Sequence, residues 1–398
     1  MTFPAEFDAV VVGGGPSGAT AATDLAKAGR KVMLLDRAGR IKPCGGAVPP
    51  KLLEEFDIPH SILVGKASAA RMIAPSGRSV DMPVGDGFVG MVDRDVFDEW
   101  LRERAAATGA TRVTGTFDHI DRDEDGVAIV CYREKRGGEL KRVRSRAVIG
   151  ADGARSKVAQ QNLDGAERVP CVFAYHEVIE SPPGTPEGFD GKRCDVFYQG
   201  KLSPDFYAWI FPHGETASVG VGSANKGFSL RSAVKDMREN SGLTDCRTIR
   251  EEGAPIPLKP LKRWDNGRDL VVAGDAAGVV APASGEGIYY AMTCGRLAAD
   301  AVDAFLESGD AKALKQARKQ FMRAHGRVFW ILGIMQYFWY SSDKRRERFV
   351  KICADPDVQH LTWEAYMNKK LVRAKPAAHV RIFFKDLGHL LGLGKVER

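Results

Sequence analysis

The apolar residues of this chain fall into blocks whose spacing changes several times from one end to the other. Residues 8–12 are an almost unbroken apolar run, the pattern of a strand buried on both faces. A glycine-rich turn follows, then an alanine-rich helical stretch that ends at Gly29, and residues 31–36 repeat the strand pattern. Together they make a strand–helix–strand unit of about 30 residues, as a dinucleotide-binding fold needs. Residues 93–108 (DRDVFDEWLRERAAAT) predict an amphipathic helix with acidic residues in its first turn and Gly109 after its end. Residues 112–148 switch to short alternating segments broken by Asp125-Gly126 and Gly137-Gly138, which predicts a small antiparallel meander. Residues 66–92 and 168–264 are also strand-like, but with Pro, Gly and aromatics, and predict a separate sheet. Residues 269–272, a turn at 274–278 and a helix from Gly287 to about Ala304 return to the first unit; beyond 310 the pattern is helical. The expected class is α/β, α+β when both units are counted. A discontinuous nucleotide-binding domain (1–65, 93–167 and 265–310) is interleaved with an antiparallel-sheet domain (66–92 and 168–264), and a helical region (311–398) follows.

Composition narrows the class without deciding it. With 398 residues, 44% of them hydrophobic and 27% charged, the chain suits two or three globular units. The seven cysteines form no Cys-x-x-Cys pair and the eight histidines no His-Glu-x-x-His, so no metal centre is expected. Scattered single thiols suit a reducing compartment. Residues 1–7 contain Glu6 and run straight into a strand, which predicts no signal peptide and a cytoplasmic location. The longest nearly apolar run, 328–340 (VFWILGIMQYFWY), is shorter than the roughly 20 residues that span a bilayer. It reads as a helix buried against the second unit or as one touching a membrane. Net charge is +7, and residues 341–398, with 13 Lys/Arg against 7 Asp/Glu, carry six of those charges. With the aromatic run before it and apolar and basic residues mixed over 381–393, this end predicts peripheral membrane contact; no nucleic-acid-binding motif accompanies the charge.

Three glycine–aspartate signatures carry the chemistry. Gly13, Gly15 and Gly18 of GGGPSG follow a strand and open a helix. The first permits the tight turn, the second lets a pyrophosphate approach the backbone, and the third lets helix and strand pack. The helix N-terminus, with Ser17 in its first turn, offers N–H groups to phosphate. Asp36, with Arg37 after it, ends the second strand as the expected acceptor for ribose hydroxyls. Asp152 stands mid-chain in Ala-Asp-Gly, followed by Arg155. Gly274 and Asp275 stand in AGDAAG, where the carboxylate either accepts from ribityl hydroxyls or closes an Asx turn. Pro282-Ala283-Ser284-Gly285-Glu286-Gly287 leads into a helix at Ile288, and its N–H groups suit the flavin edge where negative charge gathers. Arg94, entering the 93–108 helix, is within reach of the same cofactor or is an exposed capping-region side chain. One molecule long enough to touch the start, middle and late part of the chain is FAD.

GGGPSG, VDRDVFDEWL, GADGARS and AGDAAG occur in the order and spacing of the FAD-dependent family that includes p-hydroxybenzoate hydroxylase and the geranylgeranyl reductases, and residues 8–306 resemble it. Lys42-Pro43-Cys44-Gly45-Gly46-Ala47-Val48-Pro49 resembles the Cys-Gly-Gly loop of the reductase branch, and PDFYAWIFP at 204–212 fits its PxxYxWxFP pattern at every fixed position. DRAGRIKPCGG and the FDIP at 56–59 are most similar to the reductases that complete the bacteriochlorophyll tail. The resemblance implies FAD with NADPH as transient reductant, and hydrogenation of isolated double bonds in a geranylgeranyl chain carried by (bacterio)chlorophyll or by diphosphate, at a photosynthetic membrane. It further implies that Cys44, Gly45, Gly46 and Ala47 approach the flavin ring and that Tyr207, Trp209, Phe211 and Pro212 line an apolar tunnel. Cys44, then Tyr207, are the implied proton sources, with His213 read as a turn residue beyond the motif. From the residues alone, the alternating aromatics are one core face of a strand and Cys44 is a small buried hydrophobe. A monooxygenase of the same fold and an archaeal-type lipid reductase are the competing activities.

Overall fold

The computed structural model describes residues 6–37, 39, 41–184 and 188–369. Two seven-stranded sheets and one of three strands organise them. In the first sheet, Thr111–Thr114, Val32–Asp36, Glu6–Val12, Lys141–Gly150 and Leu270–Val272 run parallel in that order. Val10, Val11, Val148 and Ile149 are buried on both faces of its centre, as continuous apolar runs require. On the edge away from Glu6–Val12, Lys141–Gly150 is long enough to serve two neighbours: its first half pairs antiparallel with Ala128–Arg133, its last residues parallel with Leu270–Val272. The helix Pro16–Lys27 lies close to the sheet through Ala19, Ala21 and Ala22, and Gly295 lets the helix Ile288–Ser308 touch the backbone of Ser17.

The predicted meander is one strand too long. Thr111–Thr114 leaves it and pairs parallel with Val32–Asp36 at the opposite edge; alternation marks a strand but not its partner. The second sheet runs Thr248–Pro257, Cys171–Glu180, Thr216–Ser223, Ala208–His213, Arg193–Phe197, Ala69–Ile73 and Ser79–Pro83. It is antiparallel except where Ala69–Ile73 lies parallel to Arg193–Phe197. Within the stretch read as strands, Leu230–Asn240 is a helix: the Ser229 side chain caps it, and Ala233, Val234 and Met237 form its buried face.

Lys315–Trp339, Asp343–Ile352 and Pro356–Met367 are helices that pack Tyr340, Val350, Trp363 and Tyr366 against the second and third sheets. The apolar run 328–340 is split between environments rather than wholly buried. Phe329 is in the core and Leu332, Met335 and Trp339 face inward, while Trp330 (68%), Ile334 (48%) and Tyr337 (85%) are exposed. Among the described residues no helix is long and apolar enough to cross a membrane. The 381–393 segment lies outside the described residues.

Candidate active site

A cavity of about 830 Å³ starts at the glycine turn after the first strand, passes the Cys-Gly-Gly loop, and ends among the C-terminal helices. Its wall brings together Gly13, Gly15, Ser17, Asp36, Arg37, Asp152 and Asp275 at one end. Cys44, Gly45, Gly46, Ala47, Arg94, Gly285, Gly287 and Ile288 lie in the middle, and Tyr207, Trp209 and Phe211 lead into the far end. Gly18, Gly274 and Pro212 are not on that wall. Gly18 packs on the backbone of Gly13, and a Cβ on Gly274 would come within 2.8 Å of Ser17 Cβ. Pro212 sits with Ala208 and Ile210 on the other face of its strand, because side chains alternate and 207, 209 and 211 already hold the cavity face.

At the glycine end the three motif glycines have different work. Gly13 has φ +104°, and a Cβ there would lie 2.6 Å from the carbonyl carbon of Ala151, so turn and packing both demand glycine. Gly15 is extended (φ −74°, ψ −175°), and a Cβ there would meet nothing within 4 Å. Beside it the Ser17 hydroxyl is buried without a protein partner. Open backbone, an unpartnered hydroxyl and a helix N-terminus fit a pyrophosphate. Asp36 at the end of its strand suits a ribose.

Sequence reasoning missed Arg102, whose Nη1 donates to the Gly14 carbonyl and to Asp36 Oδ2, both at 3.3 Å. The signal was available: Arg94, Asp98 and Arg102 recur every four residues and share one face of the helix Arg94–Ala107. Arg94 itself is 4% exposed and forked onto Asp98 at 2.8 and 2.7 Å. Burial alone would lower its pKa; the Asp98 carboxylate and the Cys44 sulfur overcome that and raise it. Asp152 accepts from Ser156, from Lys157 N at 2.7 Å and from Val158 N at 3.3 Å, tying down the helix Lys157–Asn162; burial pushes its pKa up. Arg155 lies over the Phe173 ring at 5.5 Å. Asp275, nearly buried, pairs with the Lys42 ammonium.

The Cys-Gly-Gly loop is held from behind. A Cβ at Gly45 would stand 3.0 Å from the Phe211 ring, and Gly46 has φ +72°. His213 is buried, not an exposed turn residue: Nδ1 is 2.8 Å from Asp93 Oδ1 and Nε2 3.0 Å from the Gly45 carbonyl. Tyr207 donates its hydroxyl to the Ser284 carbonyl at 2.7 Å, and burial drives its pKa upward, so this phenol clasps the 282–287 loop as a neutral donor. That loop is also pinned by a buried ion pair between Glu286 and Lys369, the latter 2% exposed and lying 4.6–5.5 Å over the rings of Tyr289, Tyr290 and Tyr366. Among the described residues one group of metal-capable side chains, His119, Asp121 and Cys131, lies outside this cavity.

Comparison with known proteins identifies the family. Residues 7–181 match the pyridine nucleotide-disulphide oxidoreductase family. Over 388 residues the chain is 57% identical to the geranylgeranyl diphosphate reductase of Rhodobacter capsulatus, covering 98% of each. The chain belongs to the geranylgeranyl reductase family. The reductase is 35% identical over 403 residues to the geranylgeranyl diphosphate reductase of Synechocystis, covering 96% of this chain and 97% of that one. Its fold superposes on a geranylgeranyl bacteriochlorophyll reductase-like protein from Thermoplasma acidophilum with a TM-score of 0.80 at 24% identity, over 93% of this chain and 98% of the other. The reductase is thus an FAD-dependent oxidoreductase by family, and the residues at the glycine end of its cavity fit that cofactor.

Proposed function

We propose that this reductase hydrogenates isolated double bonds of a geranylgeranyl chain, converting geranylgeranyl-bacteriochlorophyll to the phytyl form with NADPH as electron source. The carrying observation is the continuity of one cavity: a cofactor-shaped end opens past Cys44 into a chamber walled by Trp209, Phe211, Leu332, Met335 and Trp339. Gly13, Gly15, Ser17 and Asp36 would hold FAD at the first end, where its reduced form would supply hydride. The protein's own part follows from the alkene, which has no adjacent carbonyl to take up charge. A proton must therefore arrive in step with the hydride, and water must stay out. The apolar wall excludes water, and Cys44 Sγ, beside Arg94 at the boundary of the two regions, holds the proton. Tyr207, committed to Ser284, shapes the wall instead.

The name of the 57%-identical relative supports a second substrate, free geranylgeranyl diphosphate. Peripheral membrane contact is part of the same proposal. Trp330, Ile334 and Tyr337 form an exposed stripe one helical face away from Leu332, Met335 and Trp339, which line the chamber, so a chain could pass from lipid to cavity beneath this helix. Anaerobic incubation with NADPH and each substrate, followed by mass measurement, tests the activity. Gains of two, four and six hydrogens on one substrate support it and identify the carrier. A gain of oxygen in air, with no hydrogen gained, refutes it.

A further inference from the structure

One buried histidine on the wall of the large cavity has no role in the chemistry described so far. His176, on the strand Cys171–Glu180, is 3% exposed with both ring nitrogens engaged. Nδ1 lies 2.9 Å from Ser218 Oγ and Nε2 3.1 Å from Glu252 Oε2. Ser218 Oγ accepts the Trp209 indole N–H at 3.0 Å. An indole N–H only donates, and the Ser218 oxygen has two lone pairs, so in the His176 tautomer with Nδ1–H it accepts from both Trp209 and His176. Its own hydrogen is then free to point elsewhere, and His176 Nε2 faces Glu252 as an acceptor. The neighbouring strand makes room for this: a Cβ at Gly220 would come within 2.6 Å of His176 Cβ.

The chain of bonds has two ends. Outward, Glu252 pairs with Arg250, whose guanidinium is 3.8 Å from Asp95, and both of those side chains reach solvent. Inward, Cys44, Ser218, His176 and Glu252 share the wall of a second cavity of about 10 Å³, on the order of one water molecule's room. Lys42, Arg94 and His213 face the same space.

We propose that Glu252, His176 and Ser218 form a proton relay that reloads Cys44 from solvent through this small cavity. The proposal rests on the activity proposed above, in which each saturated bond takes one hydride from reduced flavin, replenished by NADPH, and one proton from Cys44. The S–H bond breaks as the new C–H bond forms, leaving a thiolate. Glu252 takes a proton from water and His176 accepts it at Nε2. His176 releases its Nδ1 proton to Ser218, whose hydroxyl proton crosses the cavity to the thiolate. The sum is alkene, NADPH and one proton giving the saturated chain and NADP⁺. With the large cavity filled, this route reaches the sulfur from the small cavity without crossing the chamber that holds the alkene.

The test uses the flavin-loaded enzyme with NADPH and either geranylgeranyl diphosphate or the geranylgeranylated pigment. His176→Gln and Ser218→Ala are expected to bind FAD and to be reduced by NADPH at the wild-type rate, since that step draws no proton from the relay. They are then expected to saturate one double bond per enzyme in a burst and continue at least tenfold more slowly, while the wild type shows no burst. Damage to packing alone would not separate the first turnover from the later ones. Variants that turn over steadily within twofold of wild type overturn the relay. A wild-type reduced flavin that neither substrate reoxidises overturns the proposed activity, and the relay with it.

Discussion

Two adjacent glycines separate what the fold needs from what the cofactor needs. At Gly14 an added Cβ would lie 2.8 Å from Asp36 Cβ and 2.9 Å from Arg102 Cδ. Carbon contacts prefer about 3.5–4.0 Å, so at least about 0.6 Å of room is missing. The Asp36 Cβ is fixed to its strand and cannot rotate away. Gly14→Ala therefore overpacks the turn, with an expected loss of about 1–3 kcal/mol in the apoprotein. At Gly15 the same methyl meets nothing within 4 Å, and the backbone is already extended. Gly15→Ala should leave the apoprotein unchanged or stabilise it by about 0.4–1 kcal/mol through the unfolded chain. That methyl instead occupies the space through which a phosphate would reach the helix N-terminus. Losing one charge-assisted hydrogen bond there costs about 1.5–3 kcal/mol, a roughly ten- to 150-fold weaker affinity for FAD. Denaturant unfolding of the two apoproteins and FAD titration by fluorescence quenching measure both quantities. Wild-type FAD affinity in Gly15→Ala would show that the cofactor does not enter at this turn.

Three further outcomes are expected. Lys369→Met strands the Glu286 carboxylate in the protein and should destabilise by about 3–5 kcal/mol, while Lys369→Met with Glu286→Gln recovers most of the loss in urea unfolding. His325 has its pKa lowered from 6.5 to about 4, by burial first, with Lys369 and Lys51 adding to it against Glu55. The folded state resists protonating it, so this contribution is whole above pH 6.5 and is lost as pH falls from there toward 4. His325→Phe should flatten that limb of the stability–pH curve by at most about 3 kcal/mol, and an unchanged slope would clear the imidazole. Leu332→Trp narrows the chamber and should let products with two or four added hydrogens accumulate by mass, with flavin reduction by NADPH unaffected; a wild-type product distribution would place the alkene elsewhere.

What the sequence disclosed was local. The first strand–helix–strand, the helix after Asp93 and the alternation of Tyr207, Trp209 and Phe211 are periodic over short windows, and periodicity reports burial whatever the rest of the chain does. Pairing partners are not local. Nothing in residues 111–114 says that Val32–Asp36 is their neighbour, and the helical period of Leu230–Asn240 was hidden among strand-like surroundings. The Glu286–Lys369 pair joins residues separated by 83 positions; Glu286 stands in the 282–287 motif, but nothing in that motif points to Lys369.

The same limit hid the support of the Cys-Gly-Gly loop. Arg94 with Asp98, His213 with Asp93, and His176 between Ser218 and Glu252 are three polar groups contributed by separate parts of the chain, all gathered behind Cys44. Buried polar groups are costly unless satisfied, and here each has its partner. On the opposite side of the loop the wall is aromatic and aliphatic. One short turn thus separates a polar region able to carry a proton from an apolar one able to hold an alkene. Glycine at 45 and 46 keeps that partition thin: with a side chain at either position, Phe211 or His213 would have to move, and the two regions would no longer meet at one sulfur.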